Sequence, residues 1–328
     1  MSFNLAIFGA TGLVGETMRS ILEERNLPID NIYFFASERS AGKKIKFLDK
    51  EYEIIELSEE NLKKEKIDYA LGALDSSLAK KFLPVAAKLG IKIIDNSSSY
   101  RMDEDKPLVV PEINPQDAQY EGNIIPSPNC STIQSVVALY PIYKKYGIKR
   151  IVYTTYQAVS GSGKNGLEDL ERGMKRQENI FYPYPIIGNV LPHIDDFLEN
   201  GYSKEEMKMI NETKKIFHDN SIKITATTAR VPVKTSHMVA INVETKEDFD
   251  IKDIFELYKN ADGIVLYDDL KNLKYPMPII AAGKDPVYVG RIRRDISVEH
   301  GLDLICVADN MRKGAALNTI QILESLIK

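Results

Sequence analysis

The chain has 328 residues, of which 44% are hydrophobic, and its formal net charge is −4. This length is greater than that of one average domain, so we expect two domains. The lysine pairs are spread along the chain and give no basic surface, which excludes a typical nucleic-acid partner. No apolar run reaches the roughly 18 residues needed to cross a bilayer, so no membrane partner is expected.

Two cysteines are too few for a disulfide framework, and the chain begins without a charged and then apolar leader. We therefore expect a soluble protein of the reducing cytoplasm. The four histidines are separated from one another and from both cysteines. This spacing is not that of metal ligands, so no metal site is predicted.

A short apolar strand at residues 5–8 leads into a glycine turn, and helical periodicity follows as far as Arg25. Gly9, Gly12 and Gly15 have the G-x-x-G-x-x-G spacing of a variant dinucleotide-binding turn. Glycines there permit a tight turn and let backbone N–H groups approach a pyrophosphate. A plain tight turn is the alternative, but the position between the first strand and the first helix favours a Rossmann-type domain.

The second strand, at residues 32–35, is followed by a segment rich in hydroxyls and cations. Glu38 could bind the ribose hydroxyls of NAD, whereas Ser37, Arg39 and Ser40 could hydrogen-bond and neutralise a 2′-phosphate. The segment therefore favours NADP, with an ordinary surface role as the alternative for Arg39.

Strand and helix patterns continue to alternate, with strands at 67–74 and 91–95 and a helix at 76–89. This order predicts a mostly parallel sheet. Ser76 and Ser77 are predicted to cap the helix at the carboxyl end of a strand, where cofactors bind.

Cys130 follows two prolines and precedes an amphipathic helical pattern that ends near Tyr146. Backbone N–H groups at a helix start stabilise a thiolate, which is a nucleophile at neutral pH. A buried structural cysteine is the alternative. That description fits Cys306, which lies in the apolar run 302–308, so we predict that Cys130 is the reactive thiol.

Longer strands follow Cys130 and predict a second, α+β domain with mixed or antiparallel pairing. The predicted strands are 150–159, 222–231, 237–245 and 288–294, and the predicted helices are 164–178, 205–217, 250–259 and a final one at 313–326. His237 opens one of these strands, where an imidazole could face a cleft and act as acid and base. A structural histidine at a strand edge is the alternative.

The chain as a whole resembles the aspartate-β-semialdehyde dehydrogenases, and the similarity extends nearly from end to end. The segments that carry it are residues 9–15, 96–102, 110–114, 128–132, 155–161, 211–215, 230–233 with His237, and 290–295.

This resemblance implies an N-terminal Rossmann-type NADP-binding domain at residues 1–129, joined by a C-terminal helix at 311–328 that returns to it. It implies an α+β catalytic and dimerisation domain with a mixed sheet at 130–310. The implied reaction is reduction of L-4-aspartyl phosphate by NADPH to aspartate semialdehyde and phosphate, on the route to lysine, threonine and methionine. A homodimer or a dimer of dimers is implied as well.

The resemblance also implies roles for single residues. Cys130 would form a thioacyl intermediate, His237 would move protons, and Gln157 would orient the acyl group. Asn129 is an implied substrate-binding residue. Arg101 and Lys215 would bind the phosphate, Arg230 the α-carboxylate, and Glu212 the α-amino group. The implied cofactor-binding residues are Gly9, Thr11, Gly12, Leu13, Val14, Gly15, Ser37, Arg39, Ser40, Ser76, Ser160, Gly161, Asn310 and Asn318.

Several alternatives stay open at this point. Spacing alone would make Glu212 and Lys215 a surface ion pair on one helix. Met238 and Lys234 depart from the common family pattern beside the histidine, which bears on substrate range. Related activities are N-acetyl-glutamyl-phosphate reductase and malonyl-CoA reductase, and a catalytically silent NADP-binding protein is a further possibility.

Overall fold

The computed structural model describes residues 2–327, and its contacts divide the chain into two compact units. The first unit comprises the described residues as far as Pro128 together with those from Ala315 onward, and the second unit is Asn129–Gly314. The chain therefore returns to its first unit after completing the second.

The strands in the described part of the chain are β1 Phe3–Phe8, β2 Ile29–Ala36, β3 Lys44–Phe47, β4 Lys50–Glu56, β5 Tyr69–Gly72, β6 Lys92–Asp95, β7 Ile124–Pro126, β8 Ile148–Gln157, β9 Lys223–Arg230, β10 His237–Thr245, β11 Ile264–Leu266, β12 Val287–Asp295 and β13 Gly301–Ala308. The α-helices are α1 Leu13–Arg25, α2 Glu59–Lys64, α3 Ser76–Lys88, α4 Cys130–Tyr146, α5 Gly163–Met174, α6 Lys204–Phe217, α7 Ile251–Lys259, α8 Pro278–Ala281 and α9 Leu317–Ile327.

The first unit is built on a sheet with the order β3-β4-β2-β1-β5-β6-β7. Its pairs are parallel, as the alternating strands and helices predict, except for the antiparallel edge pair of β3 and β4. Every residue of β1 is buried, because alternate side chains of a strand point to opposite faces and helices cover both. One face packs against α1 and α9, and the other packs against α3.

The start of α3 corrects one prediction. Asp75, and neither Ser76 nor Ser77, is the cap, because its carboxylate accepts hydrogen bonds from the N–H groups of Ser77 (2.9 Å) and Leu78 (3.0 Å). The two serines occupy the first turn of the helix instead. A carboxylate at this position also interacts favourably with the helix dipole.

The second unit contains a mixed sheet with the order β11-β12-β13-β10-β8-β9. The central pairs are antiparallel, whereas β8 pairs with β9, and β11 with β12, in parallel. Helix α4 packs against four of these strands and against α6 and α7. The first residue of β10 is His237, as the sequence predicts. The final helix begins at Leu317, after a π-helical turn at Arg312–Ala316.

No helix among residues 2–327 combines the length and the apolarity that crossing a bilayer demands.

The glycine turn after β1 generates a test of the first unit. Gly9 has a φ of +86°, and a Cβ added there would lie 2.4 Å from the Ala73 carbonyl oxygen. We expect Gly9→Ala to lower the free energy of unfolding by more than the roughly 1–2 kcal/mol that a left-handed residue alone costs. Urea unfolding of the variant and of the parent protein measures this difference.

Gly42→Ala is the matched control, because Gly42 has a φ of +76° but a Cβ there would meet nothing within 4 Å. Its cost should be that of backbone strain alone. Equal losses in the two variants would contradict the close approach of the Gly9 turn to Ala73.

Candidate active site

Cys130 is the first residue of α4, as predicted, and Asn129 caps that helix. The Asn129 Oδ1 atom accepts hydrogen bonds from the N–H groups of Ser131 (2.9 Å) and Thr132 (3.3 Å). Gly314 lies beside the cysteine, because a Cβ at Gly314 would come within 2.9 Å of the Cys130 Cβ. The half-buried thiol therefore sits at a well-formed helix start with backbone close to it.

Cys306 has the opposite environment. It lies in β13 with no exposed surface, and burial raises the pKa of its thiol to about 12. It is a structural cysteine, as its apolar surroundings in the sequence indicate.

Two glutamates of α6 hold the Asn129 cap. The Glu212 Oε2 atom accepts a hydrogen bond from the Asn129 backbone N–H (2.6 Å), and the Glu205 carboxylate accepts from the Asn129 side-chain Nδ2 (3.0 and 3.1 Å). Glu205 and Glu212 are seven residues apart, which places both on one face of the helix. Both carboxylates are buried, so Glu212 does not lie on the exposed surface of the helix.

Glu205 is not among the site residues that the sequence predicts. The sequence does contain an indication of it, because Glu205 and Glu212 lie on the face of α6 that the amphipathic pattern predicts to be buried. Buried carboxylates need hydrogen-bond donors or cations, so their presence on that face indicates a polar network. Lys215 is half-buried one turn beyond Glu212.

Gln157 and Arg230 lie opposite each other in the parallel pair of β8 and β9. The Gln157 Nε2 atom donates to Glu205 (3.1 Å), and the Arg230 Nη1 atom donates to the Ala158 carbonyl oxygen (2.8 Å). Both side chains are buried. Glu205 thus joins the Asn129 cap to the Gln157 amide, and the Arg230 guanidinium binds the main chain one residue after Gln157.

His237 joins this group through its Nδ1 atom, which accepts a hydrogen bond from the Ala158 backbone N–H (3.0 Å). Its Nε2 atom is buried and has no hydrogen-bond partner in the described structure. Burial, followed by the charge of Arg230, lowers the pKa of His237 well below its ordinary value. The imidazole is therefore neutral, and because Nδ1 is an acceptor, its proton is on Nε2.

The turn before His237 is held by Asn310. Ser236 has a φ of 74°, and its backbone N–H donates to the Asn310 Oδ1 atom (2.9 Å). The Asn310 Nδ2 atom donates to the Ser160 hydroxyl (2.9 Å). Gly161 follows, and a Cβ there would lie 3.3 Å from the His237 Nε2 atom and 2.7 Å from the Arg230 Nη1 atom. A residue larger than glycine at position 161 would therefore crowd both nitrogens.

The first unit contains the glycine turn. A Cβ at Gly15 would lie 2.4 Å from the Gly9 carbonyl oxygen, so the turn is tight enough to require glycine. Gly12 is the N-cap of α1 and provides no side-chain hydrogen bond, which leaves the helix start suited to a phosphate. Thr11, Leu13 and Val14 complete this loop and the first turn of α1.

The remaining predicted residues of the first unit lie at the ends of its strands and in its final helix. Ser37 and Arg39 are exposed in the turn after β2, which includes Ser40. The Ser76 hydroxyl is hydrogen-bonded to that of Ser98 (3.0 Å). Arg101 is buried after β6, with its Nη2 atom donating to the Asn96 carbonyl oxygen (2.7 Å).

Asn318 differs from the other predicted cofactor residues in its surroundings. It is buried in α9, and its Nδ2 atom donates to the Val109 carbonyl oxygen (3.1 Å) and the Ser127 hydroxyl (3.0 Å). Its amide nitrogen therefore fixes two chain segments of the first unit.

No group of three or more His, Cys, Asp or Glu side chains that could hold a metal ion occurs between residues 2 and 327. The first unit has a parallel sheet with a glycine turn, and the second has a thiol at a helix start and a buried histidine. These features define the class of dinucleotide-dependent oxidoreductases with a candidate cysteine nucleophile.

Comparisons with known proteins agree with this class. The family description "Semialdehyde dehydrogenase, NAD binding domain" matches residues 4–120, and "Semialdehyde dehydrogenase, dimerisation domain" matches residues 139–313. An aspartate-semialdehyde dehydrogenase of Aquifex aeolicus is 50% identical, covering 100% of this chain and 99% of that protein. The chain belongs to the aspartate-semialdehyde dehydrogenase family, so the resemblance noted in the sequence is confirmed.

Similar proteins with known structures support the same assignment. A crystal structure of aspartate semialdehyde dehydrogenase II from Vibrio cholerae, complexed with ASA, has a TM-score of 0.95 and 45% identity. The match covers 100% of this chain and 98% of that chain. A relative from Shewanella violacea is 46% identical over 99% of this chain and 98% of its own length. The predicted two-domain α/β fold is thereby confirmed.

The low pKa of His237 predicts a pH effect on stability. The unfolded chain binds a proton at this histidine below about pH 6.5, whereas the folded chain binds it only at lower pH. The contribution to stability is therefore complete above that pH and is lost as the pH falls. We expect His237→Asn to reduce the fall in the free energy of unfolding below about pH 6.5, measured by urea unfolding at a series of pH values.

His193→Asn is the control, because His193 is exposed and lies outside the candidate site. It should leave the pH dependence of the parent protein intact. A His237→Asn protein with the same acid dependence as the parent would contradict the neutral, buried state of this imidazole.

Proposed function

We propose that this protein catalyses the NADPH-dependent conversion of L-4-aspartyl phosphate to L-aspartate 4-semialdehyde and phosphate through a thioacyl group on Cys130. The observation that carries the proposal is the thiol at the start of α4 in the same unit as a buried histidine with an unpartnered Nε2 atom. The similarity over the full chain to proteins named aspartate-semialdehyde dehydrogenase supports the substrate.

The glycine turn and the segment after β2 fit NADP. The turn is shaped so that only glycine is accommodated at its ends, and Arg39 with two serines could bind a 2′-phosphate. NADPH, when bound, supplies the hydride that reduces the acyl carbon. We assign its binding to Gly9, Thr11, Gly12, Leu13, Val14, Gly15, Ser37, Arg39, Ser40, Ser76, Ser160, Gly161, Asn310 and Asn318.

Cys130 would begin the reaction as a thiolate. Its sulfur forms a bond to the acyl carbon, the bond from that carbon to the phosphate oxygen breaks, and phosphate leaves. After reduction, the carbon–sulfur bond of the hemithioacetal breaks, which releases the aldehyde and restores the thiolate. Covalent capture divides one difficult step into two easier ones.

His237 would hold a proton at Nε2 beside the hemithioacetal oxygen. The Ala158 N–H fixes this arrangement, because it occupies Nδ1 and leaves Nε2 to carry the proton. A neutral imidazole at this position can share its proton as charge on the oxygen rises and falls. Gln157 would orient the acyl group.

The remaining polar residues would bind the substrate. Arg230 would bind the α-carboxylate, and Arg101 with Lys215 would bind the leaving phosphate, tasks suited to a guanidinium fork and a mobile ammonium. Glu212 would attract the α-amino group. Because its Oε2 atom also binds the Asn129 N–H, this carboxylate would serve both the substrate and the nucleophile helix.

The related activities differ in their need for Glu212. A free α-amino group is a cation that a buried carboxylate can bind, whereas an acetylated or absent amino group carries no positive charge for the carboxylate to bind. The burial of Glu212 therefore favours aspartyl phosphate over N-acetyl-glutamyl phosphate and malonyl-CoA.

We also propose a homodimer formed through the second unit, which matches the dimerisation domain of the family. A stretch of this unit carries exposed apolar side chains, which are Met174, Ile180, Phe181, Tyr184, Ile187, Val190, Phe197 and Leu198. Exposed apolar side chains concentrated in this way are typical of interaction surfaces.

The test of the proposed activity is phosphate-dependent reduction of NADP with L-aspartate semialdehyde, followed by the absorbance of the reduced nicotinamide. N-acetyl-glutamate semialdehyde serves as the competing substrate. We expect turnover of the first substrate alone, and a loss of about a thousandfold or more in Cys130→Ala. Turnover that survives in Cys130→Ala, or that prefers the acetylated substrate, would refute the proposal.

A pair of Glu212 variants tests its two tasks. Glu212→Gln keeps an oxygen for the Asn129 N–H but removes the charge, so the KM for aspartate semialdehyde should rise about tenfold with kcat nearly unchanged. Glu212→Ala also removes the acceptor and should lower kcat as well. An unchanged KM in both variants would exclude a role in binding the amino group.

A further inference from the structure

Glu205 is a charged side chain in the interior of the second unit, with 5% of the residue exposed. Its Oε1 atom accepts hydrogen bonds from Asn129 Nδ2 (3.0 Å) and Gln157 Nε2 (3.1 Å). Its Oε2 atom accepts from Asn129 Nδ2 (3.1 Å) and Lys208 Nζ (3.2 Å). Burial opposes ionisation, but Lys208 and the two amides hold the pKa of Glu205 below its ordinary value.

The two amides that bind Glu205 have other tasks at the site. Asn129 caps α4 with its Oδ1 atom immediately before Cys130. Gln157, at the end of β8, is placed to orient the acyl group in the proposed mechanism. Each amide has one oxygen and one nitrogen end, so a half-turn of the group would exchange an acceptor for a donor.

An ionised carboxylate only accepts hydrogen bonds, and it therefore permits one orientation of each amide. With its nitrogen directed to Glu205, Asn129 must present its oxygen to the N–H groups of α4. Gln157 likewise keeps its nitrogen on Glu205 and leaves its oxygen for other donors. The charge of Glu205 thus determines which end of each amide faces the rest of the site.

We propose that Glu205 is a positioning residue of the reaction, which fixes the amides of Asn129 and Gln157 and, through them, the start of α4 and the acyl group on Cys130. This inference rests on the proposed function and adds to it a residue that acts through other side chains. Lys208 forms an ion pair with the same carboxylate (3.2 Å) and another with Asp195 (2.7 Å).

The adjacent Glu206 provides a control from the same helix. Its Oε2 atom accepts from the Ser203 N–H (2.8 Å) and its Oε1 atom from the Thr228 N–H (3.0 Å). These contacts form the capping box of α6 and join the helix to β9. Glu206 therefore has a structural role on the same helix, and its carboxylate binds Ser203 and Thr228, away from the amides of Asn129 and Gln157.

The experiment compares Glu205→Gln with Glu206→Gln in the aspartate semialdehyde assay. Glu205→Gln keeps the side-chain volume but turns one acceptor into a donor that faces other donors. We expect its kcat to fall between tenfold and about a hundredfold, with a KM change below about threefold, because the reacting groups are displaced while substrate contacts remain. Glu206→Gln should lose stability and retain kcat within about twofold.

A double-mutant cycle separates positioning from a general loss of structure. In a Gln157→Ala background, the further loss of kcat caused by Glu205→Gln should be smaller than in the parent enzyme, because part of the effect acts through Gln157. Equal losses in both backgrounds, or a parent-like kcat in Glu205→Gln, would overturn the proposal. Glu205→Asp, which retains the charge, should recover part of the lost activity.

If Glu205→Gln does not fold, Glu205→Asp replaces it in an NMR test, because its shorter side chain lengthens the contacts to both amides. The side-chain amide signals of Asn129 and Gln157 should then shift, and unshifted signals would overturn the proposal. If the parent enzyme does not turn over aspartate semialdehyde, the proposed function fails by itself. The positioning inference is then decided by the side-chain amide NMR signals of Asn129 and Gln157. Both should shift in Glu205→Gln and stay in place in Glu206→Gln, and the reverse pattern would reject it.

Discussion

The cap of α4 at Asn129 is the contact on which the rest of the candidate site depends. Its side-chain oxygen satisfies the first N–H groups of the helix, and its backbone N–H and side-chain nitrogen are taken by Glu212 and Glu205. A helix start has N–H groups that lack partners within the helix, and a cap fixes both their hydrogen bonds and the direction of the chain. The position of the Cys130 thiol follows from that direction.

Burying two carboxylates next to this cap has an electrostatic cost, which hydrogen-bond donors and a cation offset. Buried negative charges require donors and cations, and Glu205 has two amides and Lys208 around it. In the same region, burial and then the charge of Arg230 lower the pKa of His237, so that its imidazole is neutral. The thiol and the imidazole therefore lie in a unit in which the buried charged groups Glu205, Glu212 and Arg230 are each held by hydrogen bonds.

Much of the fold was predictable because it depends on local patterns. The apolar residues 5–8 predict a strand, which lies in β1 and is buried on both faces, and the spacing of the glycines predicts the turn after it. The edge hairpin of β3 and β4 was not predicted, because short, mostly polar strands give a weak signal. The cap of α3 was placed one residue too late, since Asp and Ser are both good caps.

The candidate site was predictable only in part. Cys130 stood out because a helix start leaves a local signature, whereas the tautomer of His237 depends on the Ala158 N–H, which is distant in sequence. Glu205 was missed for the same reason, because its partners lie 76 and 48 residues away along the chain. The family resemblance supplied roles for residues, but the arrangement of their hydrogen bonds required the fold.

Ala158, whose side chain is a methyl group, links His237 and Arg230 through its main chain. The Ala158 N–H binds the imidazole of His237, and its carbonyl oxygen binds the guanidinium of Arg230. Under the proposed roles, the separation between the group that serves the reacting oxygen and the group that binds the carboxylate is set by main-chain geometry. This fixed separation would then select substrates by length. A substrate longer by one methylene could not place its carboxylate and its reacting carbon correctly at the same time, even though no side chain blocks it.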